Sequence, residues 1–105
     1  MEILVKADLT IDIADPFNFR KFSLNVSHPS SASEKVAEAC SGLATLGTDG
    51  HAWVDAQRLI DWPGLRADPR WGDGIRAMIE KARPHGWIAD DPLRIKAHID
   101  WKATA

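Results

Sequence analysis

The chain has 105 residues, 45% of them hydrophobic and 27% charged, with 13 lysines and arginines against 15 aspartates and glutamates. That length and balance predict one globular domain, residues 1–105, with a single core, and are not those of a disordered or membrane chain. The near-neutral charge lacks the strongly basic footprint with which proteins hold nucleic acid or anionic lipid.

Charge is unevenly spread. Residues 1–50 carry four Lys/Arg and seven Asp/Glu, residues 51–105 nine and eight, which directs any anion contact to the C-terminal half. The single cysteine, Cys40, rules out an internal disulfide and a cysteine-rich zinc site, so the cytoplasm is the expected compartment. "MEILVKADLTIDI" has neither the basic start nor the unbroken apolar run of a signal peptide. No stretch reaches the roughly 18 apolar residues of a membrane span.

The odd positions Ile3, Val5, Ala7, Leu9, Ile11 and Ile13 are apolar while Lys6, Asp8, Thr10 and Asp12 are polar. This period of two predicts one strand over 3–13 with a single buried face. Phe22, Leu24 and Val26 repeat the pattern over 21–28, and the two runs together predict an N-terminal antiparallel hairpin. Helical spacing follows in Val36, Ala39, Cys40, Leu43 and Leu46. Ser31 and Glu34 have the spacing of a capping box, and Gly47 is expected as the left-handed stop.

"HAWV", after an Asp-Gly turn, predicts a brief strand over 51–54. Asp55 is placed to cap a short helix over 56–61, and Asp68-Pro69 to open a longer one with the stripe Trp71, Ile75, Met78, Ile79 and Ala82. Pro84 and Gly86 end it. A short strand near Trp87, an acidic turn at Asp90–Pro92 and a strand over 93–101 close the chain, with Leu93, Ile95, Ala97, Ile99 and Trp101 facing the core.

The expected fold class is α+β: a small antiparallel sheet, made of an N-terminal and a C-terminal hairpin, packed on three helices. From Ser31 to Trp101 the order helix, short strand, short helix, longer helix, hairpin resembles the winged-helix fold. In that resemblance Pro69 to Arg83 is the longer helix and "HGWIADD" enters the wing. DNA-reading winged helices carry basic wings, whereas this turn holds Asp90 and Asp91, so nucleic acid is a disfavoured partner. The hairpin ahead of the helices is also similar to peptide-binding winged-helix modules, which implies a partner strand held by a sheet edge and a helix.

Period two over 51–55 sets His51, Trp53 and Asp55 on one side and Ala52 and Val54 on the other. If the small pair faces the core, His51 and Trp53 are displayed together beside His98 and Asp100; otherwise Trp53 turns inward as a packing residue. His51, Asp55 and His98 are the candidate catalytic groups, since a base oriented by a carboxylate suits proton transfer. Cys40, on the apolar stripe of a helix, reads as a small buried hydrophobe. The histidines at 28, 51, 85 and 98 form no ligand pair, so no metal is expected, and no cofactor motif occurs. Gly72 and Gly74 in "RWGDGIR" weaken a helix, which points to a lead-in turn, to tight packing, or to an anion approached by Arg70 and Arg76.

No catalytic motif, a near-neutral charge and an aromatic display together predict a non-catalytic module that binds a protein or peptide, itself included, through a strand edge, Trp53, His51, His98, Arg70 and Arg76. The alternatives are a small enzyme or ligand-binding protein using His51 and His98 in a Trp-lined pocket, and a DNA-binding regulator.

Overall fold

Parity explains the first departure from the sequence expectation. A computed structural model describes residues 1–102. In it the 3–13 run is two strands, β1 (Glu2–Val5) and β2 (Ile11–Ala14), paired antiparallel with Ile3 opposite Ile13 and Val5 opposite Ile11. The intervening turn contains no glycine. The Asp8 carboxylate accepts from the Thr10 backbone N–H (3.0 Å) and hydroxyl (2.6 Å), and Leu9 takes φ 67°. Because the turn returns odd positions to the same face, the alternation runs through it unbroken.

The expected N-terminal hairpin between 3–13 and 21–28 is therefore overturned. The second run forms β3 (Ser23–Val26), which lies parallel to β1, with Ile3 beside Leu24 and Val5 beside Val26. β3 also runs parallel to the last strand, β7 (Arg94–Trp101).

Helical spacing also misled at Leu43 and Leu46. α1 (Ser33–Ala39) is only 7 residues long, because Gly42 takes φ +87° and turns the chain back, so Ala44–Leu46 becomes strand β4. The stop is thus Gly42, not Gly47, whose N–H instead bonds the His51 carbonyl across the turn that follows β4, at 2.8 Å. The Ser31–Glu34 capping box does not form: Ser30–Ala32 is a 3₁₀ turn, and Ala32, at the helix N-cap, makes no side-chain bond.

The second half follows its sequence closely. β5 (His51–Asp55) leads into α2 (Ala56–Ile60), whose Arg58 N–H donates to the Asp55 carboxylate at 3.0 Å. α3 (Pro69–Ala82) is capped by Asp68 and buries all five expected stripe residues. The Trp71 indole N–H donates to the Leu59 carbonyl at 2.7 Å, which pins α3 to α2. Ile88–Ala89 forms β6, paired antiparallel with β7.

The strands make one curled mixed sheet of seven, in the order β2-β1-β3-β7-β5-β4 with β6 on β7. Alternate residues of each long strand are buried, among them Ile3, Val5, Leu24, Val26, Ala52, Val54, Ile95, Ala97 and Ile99. The helices add Val36, Leu59, Trp71, Ile75 and Ile79 to the same core.

This architecture corrects both the small antiparallel sheet on three helices and the winged-helix resemblance. The helices, of 7, 5 and 14 residues, are minor additions to the sheet. β7 lies centrally between β3 and β5, where a wing strand would lie outside. Its alternation of buried and exposed residues suits a central strand and a wing strand equally, which is why element order alone misled.

Candidate functional site

The site begins at an interruption in the sheet. On one edge β7 is paired continuously by β5, from Asp55 opposite Arg94 to His51 opposite His98. The other edge is shared: β6 takes Ile95 and Arg94, β3 takes His98 to Trp101, and residues 96 and 97 lie between them. At that gap the Lys96 N–H donates to the Trp87 carbonyl at 2.8 Å, tying the segment before β6 to the sheet.

A half-open groove of about 730 Å³ lies along this gap, between α3, the 17–22 segment and the 85–87 segment. Alternation lets both faces of β7 contribute to it, Ile95 from the covered face and Lys96 and His98 from the open one. α3 supplies Ala77, Met78 and Lys81 at helical spacing, and the connection before β3 supplies Phe19, Arg20 and Phe22. On the far wall the rings of His85 and Trp87 stack, with centroids 4.5 Å apart and an interplanar angle of 21°. Trp87 is 48% exposed, one of only two large hydrophobic residues so open among those described.

His51 and His98 are brought together. They are direct cross-strand partners, with ring centroids 5.8 Å apart, and both line the groove. Each is approached by a carboxylate from outside the lining: Asp100 Oδ1 lies 2.9 Å from His98 Nε2, and Asp49 Oδ2 lies 3.7 Å from His51 Nδ1. Asp55 is elsewhere. Its carboxylate caps α2, and it lines a separate, more polar hollow of about 610 Å³ beside Arg58, Trp62 and Arg66.

The expected partner-binding residues divide. Ala52 and Val54 are buried, so Trp53 takes the open face, half-buried, with the Arg94 guanidinium 5.9 Å from its ring centroid. Arg70 pairs with Asp68 at 2.7 Å and lies 5.0 Å from the centre of the Phe17 ring, and Arg76 pairs with Asp73 at 3.4 Å. None of these three residues lines the groove.

Of the two helical glycines, Gly74 is explained by packing. A Cβ on Gly74 would overlap the Phe19 ring, so this residue lets the 17–22 segment close against α3. Cys40 is buried as expected, and burial pushes its thiol above the usual cysteine range.

Of the groove residues, sequence reasoning named only His51 and His98 for the site, and among those it left out are Arg20, Lys81, Trp87 and Lys96. Each lies on a different segment, and no local pattern joins them. The one signal present, for Lys81 and Lys96 alone, was the small C-terminal excess of basic residues. No group of side chains suited to a metal ion occurs among the described residues, and no described helix is long and apolar enough to cross a membrane. Compared with known proteins, the chain matches no family model, no curated protein and no solved structure.

Proposed function

We propose that the chain is a non-catalytic binding domain whose ligand is a small organic molecule held in the groove between α3 and the interrupted edge of β7. The observation that carries this is the groove's size and make-up. About 730 Å³ lies within the range of small-molecule sites, which pair an apolar and aromatic lining with a few convergent polar groups. Here Phe22, Met78, Trp87 and Ile95 supply the first, and Lys81, Lys96, His51 and His98 the second.

The reading is of binding because no serine, threonine or cysteine lies beside the imidazoles of the lining, so no hydroxyl or thiol nucleophile is paired there with a base. A protein partner on Trp53, Arg70 and Arg76 has less support, because none of the three lines the groove. β4, an edge of the sheet, offers only 3 residues for strand addition.

Saturation-transfer NMR with a library of aryl fragments tests the reading. Ala77→Phe fills the groove from an exposed helix position without entering the core. Fragments are expected to bind the wild-type chain and to be lost on this variant at unchanged melting temperature. Absence of binding, or binding indifferent to Ala77→Phe, overturns the proposal.

A further inference from the structure

We infer that the groove takes an aromatic anion, with its flat ring against Trp87 and its acidic group met by Lys81 and Lys96. This rests on the groove being a ligand site and adds the chemical class of the ligand.

Charge segregation is the first ground. Acidic residues outnumber basic ones 15 to 13 in the chain, yet the lining contains Arg20, Lys81, Lys96 and three of the four histidines with no aspartate or glutamate. The nearest acids approach from outside: Asp49 Oδ2 lies 3.8 Å from Lys96 Nζ, and Asp100 holds His98. Lys81 and Arg20 have no ion-pair partner among the described residues.

Desolvation then selects the ligand. A bound ring displaces water from Lys81 and Lys96 beside the apolar walls of Met78 and Ile95. A neutral ligand leaves those ammonium groups with less water and no new partner, while an anion replaces the lost hydration with charge-assisted hydrogen bonds. Low-dielectric walls strengthen that pairing. The second ground is Trp87, which is braced on one side by His85 and is still 48% exposed, a flat surface suited to offset stacking.

The test is calorimetry at low salt with three probes: anilinonaphthalene sulfonate, its uncharged counterpart phenylnaphthylamine, and methanesulfonate. The aryl sulfonate is expected to bind at least about tenfold more tightly than either of the others, a factor the loss of one good ionic contact accounts for. Lys81→Gln with Lys96→Gln is expected to abolish that preference while leaving phenylnaphthylamine binding unchanged, and Ala77→Phe to abolish binding of both aryl compounds. Equal affinity for the two aryl probes, both lost on Ala77→Phe, overturns the anionic class and leaves the ligand site standing. Methanesulfonate binding as tightly as the aryl sulfonate overturns the aromatic part. A sulfonate preference that survives Ala77→Phe places the anion elsewhere and overturns the inference. If no probe binds, the inference and the ligand site fall together.

Discussion

Gly72 and Gly74 sit two apart on one helix and should respond oppositely to the same change. Alanine is favoured over glycine in a helix by up to about 1 kcal/mol. At Gly72 the new methyl would meet only the Arg76 guanidinium, 3.1 Å away at the end of a flexible side chain. Gly72→Ala is therefore expected to stabilise the chain by roughly 0.5–1 kcal/mol in urea unfolding. At Gly74 the methyl would overlap the Phe19 ring, which is held among Phe17 and Trp71 with centroids 6.2 and 6.1 Å away. Gly74→Ala is expected to cost about 1–3 kcal/mol, and combining it with Phe19→Ala to remove most of that penalty as a coupling. Equal effects at the two glycines would contradict this packing. The sequence exposed the anomaly of two helical glycines, and it could not reveal which ring approaches one of them, because Phe19 arrives from 55 residues earlier.

At the scale of elements, legibility followed the chemistry of the boundaries. Asp55, Asp68 and Pro69 mark helix starts through local hydrogen bonds and a fixed φ, and both starts were readable directly. The β1–β2 turn was hidden because it preserves parity, and β4 because Leu43 and Leu46 fit a helical stripe until Gly42 ends it.

The Asp68 cap carries a pH signature. Arg70 donates to its carboxylate from side chain and backbone, which holds the Asp68 pKa below its ordinary value. A carboxyl whose pKa is lower in the folded state adds stability above its unfolded pKa, near 4, and loses it as the pH falls through the folded value. Wild type is thus expected to lose stability relative to Asp68→Asn as the pH is lowered from about 5 to about 2. Urea midpoints measured across that range check it, and parallel curves for the two proteins would contradict the pairing. Asp8, whose carboxyl is also held low, by the Thr10 hydroxyl and N–H, titrates in both proteins and cancels in the comparison.

The whole molecule was the least legible. Alternation identified the buried face of β7, yet nothing in its side chains says that β3 lies parallel on one edge and β5 antiparallel on the other, since pairings over such distances are set by the collective core. The groove inherits that difficulty. Its His51–His98 pair was within reach of sequence reasoning because one register brings both outward, whereas Trp87, Lys81, Arg20 and Lys96 meet only once β6 and β3 share an edge of β7. The central claim is that a ligand is held at this interrupted edge, with Trp87 and not Trp53 as its aromatic contact. Nitrogen-labelled indole NMR tests it most directly, since the chain's 5 tryptophans give separate side-chain N–H signals. On adding anilinonaphthalene sulfonate, the Trp87 signal is expected to move most, that of Trp53, which lies opposite Lys96 across the strands, to move less, and that of the buried Trp71 to stay in place. Movement at Trp53 with Trp87 unchanged would contradict the account.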